Sequence, residues 1–187
     1  MRKRWLAIHF KYNERAMNNI KVDRILQAGV LILTVGLVGV LYESMHDKLV
    51  NVGDSAPNFK ITADNGRPVS LSNFGGKVLV LNFWATWCPP CVQETPSLSQ
   101  FAAQFKDKGV VVLALSVDRD EKVYRAFLNK YKPAFLTARD FTVHADYGTF
   151  MYPETYIIDA RGKVQMKIPE PADWSDPRLT QFVGSLL

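Results

Sequence analysis

The sequence predicts an α/β sandwich, a mixed β-sheet covered on both faces, preceded by one N-terminal transmembrane helix. Three observations predict it. Residues 25–42 form an uncharged apolar run. Two nearly continuous apolar runs, 77–86 and 110–117, alternate with stretches of helical periodicity, as in strands buried on both faces. A closing hairpin and helix follow them, which makes the sheet mixed rather than wholly parallel.

The N-terminal elements come first. Of the net charge of +5, all is carried by residues 1–24, with seven basic residues against two acidic; the remainder is neutral. The run "ILQAGVLILTVGLVGVLY" (25–42) reaches about 27 Å as a helix, close to a bilayer's hydrocarbon thickness. Only Gln27 and Thr34 interrupt it, too few for the polar stripe of a core helix, and "YESMHDK" after it offers no signal-peptidase-like site. The expected organisation is a basic cytoplasmic tail (1–24), a retained anchor in the lipid bilayer (25–42), a juxtamembrane linker (43–50) and an exported domain (51–187). Positive charge on the N-terminal flank sets that orientation. A basic tail before a membrane span needs no nucleic acid to explain it, and none is expected as a partner.

In the exported part, 51–59 reads as irregular, and "FKITADNGRPVSLSNF" as two short strands around Asn65-Gly66. The buried strand 77–86 leads into a helix from Pro89 to Lys108, with Val92, Leu98, Phe101, Ala102 and Phe105 at helical spacing, stopped at Gly109. "VVVLALSV" (110–117) is the second buried strand. Asp118–Asp120 should cap a charged helix over 121–131 with Val123, Phe127 and Leu128 inward. A short strand at 134–140, a short helix at 142–148, a hairpin over 155–168 turned at Arg161-Gly162, and a helix over 177–187 complete the chain. Phe83 and Trp84 read as core, and Trp174 as an anchor for the last helix.

The only cysteines, Cys88 and Cys91, lie in "WATWCPPCVQE" (84–94), where a buried strand gives way to a helix. Zinc needs three or four ligands, and His9, His46 and His144 show no paired spacing, so no metal is expected. A two-residue loop makes a poor structural staple. A redox pair uses every feature. Unpaired N–H groups and the helix dipole would stabilise a Cys88 thiolate, Cys91 would lie one turn deeper as the resolving thiol, and Pro89 and Pro90 fit the first turn. An exported domain lives where disulfides persist.

"FWATWCPPC", then "QETP" with Pro96, then "YPETYIIDARGKV" closely resemble thioredoxin-fold thiol–disulfide oxidoreductases of the membrane-anchored, extracytoplasmic kind (the TlpA, ResA and cytochrome-c-biogenesis type), over roughly residues 51–187. The resemblance implies a thioredoxin-like three-layer α/β/α sandwich in the bacterial inner membrane, with the domain on the periplasmic side and no cofactor. It implies that Pro153 is a cis-proline facing the Cys88–Cys91 disulfide and that Tyr152 presents its backbone to an extended substrate. Tyr152 departs from the small or branched residue common there. Trp87 would be part core, part lip of the groove. Glu94 matches the glutamate of "CPPCxxExP", which moves protons to and from the cysteines, and Asn82 stands where ordinary thioredoxins have an aspartate, leaving Glu94 as the titrating candidate.

The expected activity is reduction of disulfides in exported proteins, with a membrane electron donor for re-reduction. "PETYIID", with Glu154 after Pro153, points to apocytochrome c or its chaperones as the partner. Two rivals are a peroxiredoxin-like thiol peroxidase and a redox-inert peptide-binding module. The first needs P-x-x-x-T-x-x-C, but Thr86 stands two residues before Cys88. The second has no reason to keep both cysteines.

Overall fold

The computed structural model describes residues 24–42 and 49–187. Residues 1–23 of the expected tail and 43–48 of the expected linker lie outside the described residues. Helix α1 (Arg24–Tyr42) is, by length and composition, apolar enough to cross a membrane. The second unit, Lys48–Leu187, holds everything else. Val50 is already buried in its core and donates its N–H to the Tyr147 carbonyl, so packing begins one residue before the expected boundary at 51.

The sheet is built around β3 (Val78–Trp84), the apolar run predicted to be buried on both faces; all seven residues are buried. It pairs in parallel with β4 (Val110–Ser116), which pairs in parallel with β5 (Leu136–Arg139). On its other edge β3 pairs antiparallel with β6 (Glu154–Ile158), and β6 with β7 (Val164–Ile168), for the order β5-β4-β3-β6-β7. The hairpin β1 (Lys60–Thr62) and β2 (Pro68–Ser70) forms a separate two-stranded sheet. Gly66, at φ +78°, supplies the left-handed turn between them that a side chain would disfavour.

Side chains alternate across a strand, so β3 divides the core. Leu79, Leu81 and Phe83 pack with Ile61 and Val69 of the hairpin and with Val143 of the short helix α4 (Val143–Asp146). Val78 and Val80 pack with Leu98, Phe101, Ala102 and Phe105 of α2 (Pro89–Phe105) and with Val183 of α5 (Pro177–Gly184). Asn82 and Trp84 share this second face by the same alternation. Each buried Leu or Phe contributes about 1.5–3 kcal/mol, so α2 is anchored through its C-terminal two turns while its first turn remains at the molecular edge. Trp174 is buried against Phe101, as expected of an anchor.

Helix α3 (Glu121–Tyr131) has the predicted bounds, and Asp120 caps it by accepting from the N–H groups of Lys122 and Val123. Two expectations fail here. Val123 is 50% exposed, and Tyr124 is the inward residue, packing with Phe127 on Trp84. Burying Tyr124 requires a partner for its hydroxyl, which donates to Asp64 at 2.5 Å from the β1–β2 turn. Asp118 does not cap the helix; it is buried and accepts from the Thr86 backbone N–H and hydroxyl and from Ser116.

Candidate redox site at the start of α2

β3 ends at Trp84, the chain turns through Ala85–Trp87, and α2 begins at Pro89 with Cys88 as its N-cap. Cys88 therefore sits just before the first turn, and it is joined to Cys91 in a disulfide. Pro89 and Pro90 have no N–H, so Cys91 carries the first free amide of the helix; it donates to Cys88 Sγ at 3.3 Å. In the reduced protein that amide and the helix dipole favour a thiolate on Cys88 over one on Cys91. Cys91 is 1% exposed and packs among Trp84, Ala114 and Tyr124, inward of Cys88.

The Tyr152–Pro153 bond is cis, and the Tyr152 carbonyl oxygen lies 3.4 Å from Cys88 Sγ. The Tyr152 ring packs edge-on against Trp87 at 5.9 Å and His144 at 6.1 Å, and its hydroxyl lies 3.3 Å from His144 Nδ1. Trp87 is 63% exposed, so it is a lip rather than core; Phe150 and Met151 are exposed beside Tyr152 in the chain. Cys88 Sγ is thus bordered by apolar side chains and by the Tyr152 backbone carbonyl.

Glu94 lies one turn beyond Cys91 and is 6% exposed. Its Oε1 accepts from Asn82 Nδ2 at 2.9 Å, and its Oε2 from the Ala172 backbone N–H at 3.0 Å. Burial pushes the carboxyl up from its usual 4.5 to about 7, against the smaller opposing pull of the Ala172 and Asn82 hydrogen bonds. Asn82 also donates to Thr155 Oγ1 at 2.9 Å. That pair suits either charge state of Glu94. Turning the Asn82 amide offers Oδ1 to a protonated carboxyl, while the Thr155 hydroxyl donates to the same oxygen. A titratable aspartate at 82 would instead repel the Glu94 carboxylate.

Glu154 does not face the groove. It is buried, accepts from Thr149 Oγ1 and from the Tyr156 hydroxyl at 3.0 Å, and pairs with Lys167 at 3.1 Å. Thr86 is likewise occupied, its hydroxyl donating to Asp118 at 2.6 Å. Among the described residues no cluster of His, Cys, Asp and Glu could hold a metal. Ala172 and Thr155 were not anticipated. Ala172 acts through its amide, which leaves no side-chain signature, while Thr155 directly follows the quoted "PE" and sits on the strand paired with Asn82.

The comparisons with known proteins agree with this geometry. Residues 52–167 match the AhpC/TSA family. The chain is 39% identical over 145 residues to the thioredoxin-like protein YneN of Bacillus subtilis, covering 74% of this chain and 85% of the relative. It is 35% identical over 144 residues to the thiol-disulfide oxidoreductase ResA of Bacillus thuringiensis, covering 74% and 83%. Among solved structures, the thiol:disulfide interchange protein DsbE of Chlorobium tepidum superposes with a TM-score of 0.68 at 32% identity, covering 73% of this chain and 98% of that one. The chain belongs to the AhpC/TSA family and is a thioredoxin-like thiol–disulfide oxidoreductase similar to ResA and DsbE.

Proposed function

We propose that this protein reduces disulfides of exported proteins, with Cys88 as nucleophile, Cys91 as resolving thiol and Glu94 as the proton-transfer group. The observation that carries this reading is the approach of Cys88 Sγ to the Tyr152 carbonyl beside cis-Pro153, which sets the attacking sulfur next to a peptide-accepting edge. Cys88 thiolate attacks a substrate disulfide, forming a Cys88–substrate bond and releasing one substrate thiolate. Glu94, as carboxylate, takes the proton of Cys91. The Cys91 thiolate then attacks Cys88 Sγ, forming the Cys88–Cys91 disulfide and releasing the second substrate thiolate. Two electrons pass to the substrate, and the proton on Glu94 leaves to a substrate thiolate or to water. Trp87, Tyr152 and Pro153 line the groove for the substrate.

The proposed location is supported by the length and apolar composition of α1 and by the charge asymmetry of the sequence on its two sides. We assign residues 1–24 to the cytoplasm, 25–42 to the bacterial inner membrane, 43–50 to a linker and 51–187 to the extracytoplasmic side, with a membrane electron donor restoring the dithiol. Within this reading the substrate is an apocytochrome c or a chaperone holding it, on the likeness of "PETYIID" to cytochrome-c-biogenesis proteins. Glu154 supports that only as part of the motif, since its carboxylate is spent on Lys167, Thr149 and Tyr156. Location is read from the proteins that Cys88 captures when Cys91 is serine: exported proteins support it, and cytoplasmic proteins alone contradict it.

A peroxidase reading has no support in the geometry, because the Thr86 hydroxyl is engaged by Asp118. Pre-reduced protein offered a disulfide peptide should yield two substrate thiols for each Cys88–Cys91 disulfide formed, and Cys88→Ser should yield none. Faster oxidation of the pair by hydrogen peroxide than by the peptide would reverse the assignment in favour of the peroxidase.

A further inference from the structure

The segment between β7 and α5, "PEPADWSD" (169–176), returns to α2 at three points on one helix face. Its Ala172 N–H reaches Glu94 Oε2 at 3.0 Å, its Trp174 N–H reaches Ser97 Oγ at 3.4 Å, and its Trp174 ring packs 5.1 Å from Phe101. Ser97 closes the arrangement by donating its hydroxyl to the Glu94 carbonyl at 2.9 Å. Residues 94, 97 and 101 follow the spacing that puts side chains on one stripe of a helix. Pro169 and Pro171 stiffen the approach, and Trp174 is 1% exposed. Beside this contact a groove of about 480 Å³ opens to solvent, lined among others by Pro90, Gln93, Glu94, Ser97, Ala172 and Asp173. Trp87, Cys88, Tyr152 and Pro153 do not line it, whereas Glu94 does.

We propose that residues 169–176 are a positioning strap for Glu94, in which Trp174 pins the strap to α2, the Ala172 amide holds Oε2, and the adjoining groove carries the proton to solvent while substrate covers Cys88. This rests on the reading of Glu94 as the proton-transfer group. The groups facing Glu94 are few. β3 contributes the Asn82 amide, β6 the Thr155 hydroxyl behind it, and the strap the Ala172 amide, with Asp173 exposed at the rim of the groove. Among the described residues no cation forms an ion pair with Glu94. The acid strength of Glu94 is therefore set by burial and by two N–H donors, one of which belongs to the strap.

The test is the pH midpoint of thiol–disulfide exchange in the full-length protein. Ala172→Pro removes the strap's N–H from the carboxylate and should raise the midpoint by about one pH unit, a tenfold tighter hold on the proton, the size expected for one hydrogen bond to a charged group. The rate at pH 7 falls and is recovered at higher pH. Ser97→Ala, a milder change that unties Trp174 from Glu94, should move the midpoint the same way by less. In a Glu94→Gln background neither substitution should shift the profile. The proposal is overturned if the midpoint depends on Glu94 yet both variants leave it in place, or if they slow exchange equally with and without Glu94, as a merely structural loop would. A Glu94→Gln protein that keeps the wild-type midpoint overturns the reading of Glu94 itself, and the strap with it.

Discussion

Replacing Cys91 with serine should turn the protein from a catalyst into a trap. Cys88 still attacks a substrate disulfide, but the bond to Cys88 then has no resolving thiol inside the protein and persists until an external thiol cleaves it. Catalytic turnover should fall to background, and in cells a covalent adduct should accumulate that dithiothreitol releases. Cys88→Ser should give no adduct, because it is the Cys88 sulfur, not that of Cys91, that lies beside the Tyr152 carbonyl at the edge of the groove. The asymmetry rests on the N-cap geometry, in which the first free amide of α2 points at Cys88 Sγ. Mass spectrometry of the captured proteins reads the location and the partner together. Exported disulfide-bearing proteins are expected. A c-type cytochrome or a component that matures it would support the finer assignment, and its absence among other exported adducts would remove that assignment while leaving the reductase. Adducts formed equally well through Cys91 in the Cys88→Ser protein would refute the order of attack.

Glu94→Gln carries the second large effect. A positioned acid–base group contributes about 10²–10⁴-fold, so exchange at pH 7 should slow by roughly 100-fold while the fold is retained. The wild-type rate should rise with pH through a midpoint near 7, where the buried carboxyl ionises and becomes able to take the Cys91 proton. The variant should lack that midpoint, and the gap should narrow above about pH 8.5, where thiols ionise unaided. Stability should change in the opposite sense. Glu94 holds its proton more tightly folded than unfolded, so its neutral form favours the fold below about pH 4.5, and this is lost as pH rises toward 7. At pH 8 the variant should be more stable than the wild type by on the order of 1–3 kcal/mol, with the two converging below pH 4.5. The glutamine fits because the Asn82 amide can turn its oxygen toward the new NH₂ and still be met by the Thr155 hydroxyl. A wild-type pH profile in the variant would reduce Glu94 to a buried structural carboxyl.

Much of this was legible in the chain because the strong signals are local. An uninterrupted apolar run marks a strand buried on both faces, and β3 and β4 fell where such runs lie. The Asp120 cap and the prolines of the CPPC stretch locate two helix starts to within a residue. What was not legible turns on polar groups whose partners the chain does not announce. Val123 reads as inward, yet Tyr124 takes that place; its hydroxyl is satisfied by Asp64, sixty residues earlier, which makes the tyrosine the better core residue. Asp118 looked like a cap and instead ties Thr86 to the end of β4. Glu154 enters through the "PETYIID" motif, and its carboxylate is buried against Lys167 on the neighbouring strand, which residue type alone does not show. At the site, the cysteines, Glu94 and cis-Pro153 could be named from motif and resemblance, and Asn82 from its position on the strand. The Ala172 amide could not, because a backbone donor seventy-eight residues from its acceptor leaves no trace in residue type.

The central claim is that the Cys88–Cys91 pair gives electrons to exported disulfides rather than taking them. Its most direct test is the reduction potential of the pair, measured by equilibrating the protein with glutathione or dithiothreitol mixtures and quantifying the two thiols. A reductant of exported proteins should lie in the range of thioredoxin, about −270 mV, and remain oxidised in glutathione buffers poised near −200 mV. A value near that of the strong oxidant DsbA, about −120 mV, would mean that the pair forms disulfides in its partners and would contradict the account.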